Sequence, residues 1–194
     1  MMSAALMTDN KPLRLPHLFS VVFLLATATW ATLLPCTHAQ SEDHPDFISK
    51  ICNHTIHFEV CNTSLRSMPD SQNADVYNLT RIAINLTIAE GLRIGSNISS
   101  MLDARFLPSY GERRLKDCAD LYSDAVESLR LAVKDLALRS FFDVNLHVTA
   151  AMTESSTCED GFSEEDGYTS PLTYQNSYFF MLCSNVLAIN ALLS

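Results

Sequence analysis

The strongest constraint on this chain is a helical repeat near its centre. Apolar or small residues recur at steps of four, three, four, three and four, which is the spacing of one face of an α-helix. These residues are Cys118, Tyr122, Ala125, Leu129, Ala132 and Leu136. The repeat predicts an amphipathic helix from about Glu112 to Arg139.

Three further segments have helical character. One runs from Ala74 to Leu102 and one from Phe142 to about Cys158. The last begins at Ser170-Pro171, where serine can cap a helix and proline can take its first position, and it runs to about Leu193. No strand pattern of comparable strength is present. The sequence therefore predicts an all-α protein: an up-down four-helix bundle over residues 74–194, preceded by an N-terminal helical hairpin over residues 40–73.

The first 39 residues are typical of a secretory signal peptide. Lys11 and Arg14 precede an apolar run from Leu18 to Leu34, and Thr37-His38-Ala39 provides a small-residue exit. The run is also long enough for an uncleaved anchor, which stays open as an alternative. No later segment is expected to be long and apolar enough to span a membrane. We therefore predict residues 1–39 to be a signal peptide and the mature chain to be secreted and extracellular.

The charge balance argues against one class of partner. The chain has 22 acidic residues against 13 Lys and Arg, a net charge of −9. Removing Lys11, Arg14 and Asp9 with the signal peptide leaves 21 acidic and 11 basic residues, a net charge of −10. Because an acidic chain repels a phosphate backbone, a nucleic-acid partner is not expected.

The mature chain keeps an odd number of cysteines in an oxidising compartment. They are Cys52, Cys61, Cys118, Cys158 and Cys183. Disulfides are expected there, and one thiol should be left over. Spacing alone leaves open which cysteines pair.

Five glycosylation sequons agree with secretion. Their asparagines are Asn53, Asn62, Asn78, Asn85 and Asn97. Because Asn78 and Asn85 lie seven residues apart, they share one face of the predicted Ala74–Leu102 helix, opposite its apolar face.

The sequence gives little support for metal binding or catalysis. Cys52, His54, His57 and Cys61 are the residue types of a zinc site, but their spacing matches no common zinc module. A disulfide flanked by bystander histidines is the better interpretation. The chain has no Gly-x-Ser-x-Gly elbow and no glycine-rich phosphate loop, so no catalytic residue, metal or cofactor is expected.

One acidic stripe could bind a partner. Asp120, Asp124 and Glu127 stand at positions i, i+4 and i+7 of the predicted Glu112–Arg139 helix, on one face. Such a stripe is usually a solvated helix face. Like charges at i, i+4 cost a few tenths of a kcal/mol, so a basic partner is the alternative explanation.

Four segments of the mature chain form a recognisable set. They are FISKICNHTIHFEVC, LKDCADLYSDAVESLRLAVKDL, AAMTESSTCEDGF and LCSNVLAINALL. Together they resemble the plant invertase inhibitor and pectin methylesterase inhibitor family over nearly the whole mature chain. The stretch from Cys118 to Pro171 looks most like a branch of that family that includes pollen allergens described as invertase inhibitors.

The resemblance implies a structure for the mature chain. It implies a secreted four-helix bundle with an N-terminal helical hairpin. It also implies that Cys52 pairs with Cys61, that Cys118 pairs with Cys158, and that Cys183 remains free.

The resemblance implies a non-enzymatic inhibitor of the apoplast or cell wall. Such a protein would form a one-to-one complex with a carbohydrate-active enzyme and block its substrate cleft. The positions carried over as partner contacts are Asp120, Asp124, Glu127, Thr157 and Asp160.

The target enzyme is the finer question. The best-understood invertase inhibitors carry Pro-Lys-Phe before the third bundle helix, where this chain reads Leu138-Arg-Ser-Phe-Phe142. The free Cys183 also resembles the methylesterase branch. We therefore expect pectin methylesterase as the target, with acid invertase as the alternative. A secreted helical carrier of a small apolar ligand is the more distant alternative.

Overall fold

The computed structural model describes residues 46–194, and the predicted signal peptide of residues 1–39 lies outside the described residues. All elements assigned within 46–194 are helical, which confirms the all-α prediction. The α-helices are α1 (Phe47–Cys52), α2 (Phe58–Arg66), α3 (Val76–Ala104), α4 (Ser109–Ala137), α5 (Phe141–Ser163) and α6 (Thr173–Asn190). Short 3₁₀ turns occupy Pro69–Ser71 and Ala191–Leu193.

Local side-chain chemistry fixes several helix ends. Asp46 accepts a 2.9 Å hydrogen bond from the Ser49 N–H at the start of α1, and Asp75 accepts one of 2.8 Å from the Asn78 N–H at the start of α3. These carboxylates satisfy amide groups that have no partner inside the helix. Helix α3 ends at Ala104, and the C-cap residue Arg105, with a φ of 49°, turns the chain out of the helix.

The four long helices form a closed ring of neighbours. Helix α4 packs against α3 and α5, and α6 packs against α5 and α3, so α3 and α5 lie diagonally across the bundle. The hairpin of α1 and α2 packs on α3 and α6 and buries Ile48, Ile51 and Leu65 there. This arrangement confirms the predicted bundle with an N-terminal helix pair.

The predicted central stripe forms the α4 side of the core. All six of its residues are buried, and Tyr122 packs edge-on against Phe179 with ring centroids 5.2 Å apart. Phe162 of α5 also fills the space between the helices and has no exposed surface.

The start of α6 differs from the sequence prediction. The helix begins at Thr173 rather than at Pro171, although the Ser170 hydroxyl accepts a 3.1 Å hydrogen bond from the Leu172 N–H. Ser170 therefore closes a turn before the helix. Its side chain does not cap the first helical turn itself.

The expectation that no later segment is long and apolar enough to span a membrane is wrong. The segment Thr173–Leu193 has 21 residues and a mean hydropathy of 1.3, so its length and composition would allow it to cross a membrane. The core helix of a bundle meets the same criteria. Here Phe179, Cys183 and Ile189 are buried against the other helices, which accounts for the apolar composition.

Two disulfides hold the structure, as the resemblance implied. Cys52 is bonded to Cys61 within the hairpin, and Cys118 is bonded to Cys158 between α4 and α5. Cys183 is free and buried on α6. Its burial raises the pKa of the thiol, so it remains protonated and unreactive at ordinary pH.

Candidate partner-binding face

The acidic stripe lies on the outer face of α4. Asp120, Asp124 and Glu127 are all exposed, whereas Cys118 and Tyr122 of the same helix are buried. The helical period places the acidic residues and the buried residues on opposite sides of α4. The acidic side faces solvent, because a charged side chain is costly to bury without a partner. Glu127 forms an exposed ion pair with Arg130 at 3.5 Å, and the carboxylates of Asp120 and Asp124 face solvent.

Thr157 and Asp160 lie on the neighbouring helix α5, and both are exposed. The bond between Cys118 and Cys158 holds the two helices with those Cα atoms 5.0 Å apart. Thr157 and Asp160 line a shallow depression of about 210 Å³ beside this disulfide, together with Asp117 of α4.

The five predicted contacts thus fall into two neighbouring groups. Thr157 and Asp160 border the depression, whereas Asp120, Asp124 and Glu127 lie along α4 outside its lining. The two groups share one pair of helices. We call the exposed surface of α4 and α5 that carries them the α4–α5 face.

Asp124 also acts electrostatically on a residue that the sequence reasoning missed. Glu154 of α5 has a pKa raised above its ordinary value, first because it is partly buried and second because Asp124 is close. The two residues are thirty positions apart in sequence, and only the packing of α4 on α5 brings them together. Glu154 therefore adds one carboxyl group to those of the predicted stripe on the α4–α5 face.

Arg114 closes one end of this face. Its guanidinium lies 3.1 Å from Asp117 and 2.8 Å from Glu164, which joins α4 to the C-terminal cap of α5. The same group lies 5.3 Å from the ring centroid of Tyr110, whose hydroxyl donates a 2.7 Å hydrogen bond to the Gly161 carbonyl. These contacts order the rim of the depression, although exposed ion pairs add little stability.

A polar network fixes the other flank of α5. Glu159 accepts hydrogen bonds of 2.6 Å from both the Thr173 hydroxyl and the Asn176 amide of α6. Asn176 in turn accepts a 2.8 Å hydrogen bond from the Tyr122 hydroxyl. The network ties α4, α5 and α6 together at Glu159, the residue directly before Asp160.

The remaining sequence candidates have simpler roles. Cys52 and Cys61 are bonded to each other, so neither can supply the thiolate that a zinc site with His54 and His57 would need. Within residues 46–194, no group of three His, Cys, Asp or Glu side chains is placed to hold a metal.

The sequons lie away from the α4–α5 face. Asn62, Asn78 and Asn97 are partly buried, whereas Asn53 and Asn85 are exposed. All five belong to the hairpin or to α3. Their glycosylation stays a prediction.

Comparison with known proteins finds a family model and several proteins that are similar to this chain. Residues 46–189 match the family model described as plant invertase/pectin methylesterase inhibitor. A protein of Platanus orientalis named "Putative invertase inhibitor" is 36% identical over 138 residues, which covers 71% of this chain and 81% of that protein. The pectinesterase inhibitor of Actinidia deliciosa is 29% identical over 154 residues, which covers 79% of this chain and 82% of that protein.

A solved structure shares the fold. A mutant form of a pectin methylesterase inhibitor from Arabidopsis superposes with a TM-score of 0.66 at 22% identity, covering 76% of this chain and 97% of that one. The family model, the similar sequences and this bundle agree along most of the described chain. The chain therefore belongs to the plant invertase/pectin methylesterase inhibitor family, whose members are non-enzymatic inhibitors.

Proposed function

We propose that this protein is a secreted inhibitor that binds an acid invertase through its α4–α5 face and blocks the enzyme's substrate cleft in a one-to-one complex. The observation that carries the proposal is the pair of exposed groups on that face, the α4 carboxylates and Thr157 with Asp160, fixed next to each other by the Cys118–Cys158 bond. A charged surface whose two helices are held by a disulfide suits protein recognition without a large cost in conformational entropy.

The choice of invertase reverses the order expected from the sequence. Relatives from Platanus orientalis and Platanus acerifolia, each 36% identical to this chain, carry invertase inhibitor in their names. An Arabidopsis relative at 26% identity is named a cell wall / vacuolar inhibitor of fructosidase. These names favour invertase and a cell-wall or vacuolar setting, and we propose the cell wall because the chain begins with a predicted signal peptide.

Pectin methylesterase is the second candidate. The missing Pro-Lys-Phe motif and the free Cys183 favour it. The Actinidia relative, named a pectinesterase inhibitor, is 29% identical to this chain, so sequence similarity supports this target less than it supports invertase.

Inhibition assays separate the two targets. Purified residues 40–194 with both disulfides formed should lower the activity of cell-wall acid invertases at mildly acidic pH and leave several pectin methylesterases unaffected. The opposite pattern would make methylesterase the target. Inhibition of neither enzyme class would reject the proposed function.

The carrier alternative has its own measurement. Tyr122, Phe162 and Phe179 fill the space between the helices where an apolar ligand would have to lie. Organic extraction of the purified protein followed by mass spectrometry should therefore recover no stoichiometric lipid. A ligand present in equimolar amount would support a carrier.

A further inference from the structure

A groove lies where helix α2 of the hairpin packs on α3 and α6. Its volume is about 230 Å³, and polar groups line it beside an aromatic ring. The polar groups are the hydroxyls of Thr63, Ser64 and Ser67 on α2 and the carboxylate of Glu90 on α3, and the ring is that of Tyr178 on α6. The space is smaller than the ~300–1,000 Å³ of a typical small-molecule site, so it suits one small ring of a ligand. We call it the hairpin groove.

Beneath the hairpin groove lies an amide oxygen without a partner. A small pocket of about 10 Å³, which is room for one water-sized group, shares Ser64, Leu86 and Leu182 with the groove and is also lined by Asn185 of α6. Asn185 is 3% exposed, and its amide donates a 3.3 Å hydrogen bond to the His57 carbonyl. Its Oδ1 accepts no hydrogen bond within residues 46–194. Because an unpaired buried acceptor is costly, this oxygen indicates that a donor from outside the chain binds there.

Two tyrosines form an aromatic platform at the edge of the hairpin groove. The rings of Tyr174 and Tyr178, one turn apart on α6, are parallel to within 1° and have centroids 6.4 Å apart. Tyr174 is 75% exposed, whereas Tyr178 is half-buried beside the groove. The face of an aromatic ring is partly negative, so it attracts the partly positive C–H groups on the face of a sugar ring. The tyrosine pair is therefore suited to stacking against a pyranose.

The charges beside the tyrosine pair cancel. Arg93 Nε donates a 2.8 Å hydrogen bond to Glu90 Oε2. Burial raises the pKa of Tyr178, and Glu90 and Tyr174 raise it further, so its hydroxyl stays protonated and can donate to a ligand. The ion pair is locally neutral, and the chain as a whole carries a charge of −9, which repels a polyanion. A neutral ligand is therefore favoured over an acidic one.

The hydroxyls of α2 present acceptors to the hairpin groove. Thr63 donates its proton to the Glu59 carbonyl and Ser67 donates its proton to the Ser64 carbonyl, both at 2.6 Å. Each hydroxyl oxygen keeps lone pairs that can accept a hydrogen bond from a ligand. The groove thus combines several acceptors with an aromatic platform, and a ligand that carries many hydroxyl donors on an apolar ring matches both.

We propose that the hairpin groove binds a hexopyranose ring of a neutral oligosaccharide, which stacks on Tyr174 and Tyr178 and donates hydrogen bonds to Glu90 and the α2 hydroxyls. None of the five sequon asparagines lines the groove, so we assign the sugar to an external polysaccharide and treat the chain's own glycans as the rival occupant. The groove lies on the α3–α6 side of the bundle, and α4 and α5 form the opposite side. The protein can therefore hold a polysaccharide while its α4–α5 face is engaged. This site is additional to the proposed function and does not depend on it.

Calorimetric titration of the disulfide-bonded protein tests the site. The probes are cellohexaose, mannohexaose and galactohexaose, with hexagalacturonate as the anionic comparison. At least one neutral probe should bind saturably, and hexagalacturonate should bind at least about tenfold more weakly. Binding of no neutral probe would reject the site. Tighter binding of hexagalacturonate would overturn the assignment of a neutral ligand.

Tyrosine variants locate the bound sugar. Tyr174→Ala combined with Tyr178→Ala should weaken binding of the neutral probe by at least about tenfold, whereas the double change to Phe keeps both rings and should stay within about threefold. Tyr174→Ala alone should also weaken binding, and its 75% exposure leaves the fold intact, which thermal melting checks. The matched control is Phe142→Ala, since Phe142 is 77% exposed on α5, and it should bind within about twofold of the wild type.

Two further outcomes would reject the proposal. If the double alanine variant binds the neutral probe as tightly as the wild type, the sugar does not lie on the tyrosine pair. If the neutral probe binds only after enzymatic removal of the chain's own N-glycans, one of those glycans occupies the groove and the external ligand is rejected. Enzyme inhibition is measured separately, and Tyr174→Ala should leave it unchanged, because Tyr174 lies off the α4–α5 face.

Discussion

The Tyr122 hydroxyl of α4 donates a 2.8 Å hydrogen bond to Oδ1 of Asn176 on α6, with both side chains buried. The Asn176 amide then donates to Glu159 of α5, so one asparagine connects three of the four bundle helices. A buried polar group of this kind is stabilising only while its partners are present.

Tyr122→Phe should therefore destabilise the protein, although the ring and its packing on Phe179 are kept. Oδ1 of Asn176 would lose its donor inside the core, at a cost of about 1–3 kcal/mol in the free energy of unfolding. Urea unfolding measures the change. Tyr174→Phe is the control, since Tyr174 is exposed and should change the stability by less than about 0.5 kcal/mol. Equal stability of both variants would show that the hydrogen bond is not formed in solution.

Two glycines of α3 should respond oppositely to alanine. A Cβ on Gly91 would lie 2.9 Å from Val126 Cγ2 and 3.1 Å from Phe179 Cε2, whereas a Cβ on Gly95 meets nothing within 4 Å. Gly91→Ala should cost about 1–3 kcal/mol through overpacking. Gly95→Ala should stabilise by up to about 1 kcal/mol, because alanine is the better helix former. Thermal unfolding of the pair checks both signs, and stabilisation by Gly91→Ala would contradict the packing described for α3 and α4.

Stability should fall in alkaline solution. Burial raises the pKa of Cys183 and of Tyr122 above their ordinary values of 9.0 and 10.0. Both groups become charged only when they lose a proton, and burial opposes that charge. At a pH above the ordinary pKa values, the unfolded chain therefore loses these protons while the folded chain keeps them. Their contribution is complete below the ordinary values and is lost as pH rises above them, by up to about 1.4 kcal/mol per pH unit for each group.

The variant Cys183→Ala isolates one of these two contributions. Between pH 8.5 and 10.5 its unfolding free energy should fall less steeply than that of the wild type, by up to about 1.4 kcal/mol per pH unit. Denaturant midpoints at a series of pH values measure the slope. Identical slopes in the two proteins would mean that the thiol is not buried in the folded state.

The acidic stripe should control the salt dependence of target binding. Asp120→Asn combined with Asp124→Asn should weaken binding and flatten its dependence on salt, because exposed charges act through a screened field. Since both residues are exposed, helicity and melting temperature should stay nearly unchanged. Asp103→Asn combined with Asp166→Asn offers a control of equal charge change at exposed positions off the α4 stripe. Unchanged affinity in the stripe variant would make the stripe a solvated face.

Most of the fold followed from the sequence, and the reasons are local. A helix face depends on residue spacing alone, so the steps from Cys118 to Leu136 predicted which side of α4 is buried. The exposure of Asp120, Asp124 and Glu127 followed from the same period. The start of α6 was misplaced by two residues, because Ser170 closes a turn as readily as it caps a helix.

The candidate site was predicted only in part. Thr157 and Asp160 came from the family resemblance, and no spacing rule connects them to α4. Glu154 was missed because its altered environment depends on Asp124 of another helix. The sequence assigned Phe142 to a helix but did not predict that it is exposed. At the end of a helix, residue spacing does not distinguish an apolar side chain that faces the core from one that faces solvent.

The sequence by itself determined the helices and the faces of the helices, because each depends on residues close together in the chain. Only the tertiary structure decided which residues of other helices lie next to each helix face. It placed Asp124 beside Glu154, left Phe142 and Leu146 exposed in line with Asp160, and put the sequons of α3 on the far side of the bundle. The physical reason is that these relationships come from the order in which α3, α4, α5 and α6 pack around one core, and that order is a long-range property of the folded chain.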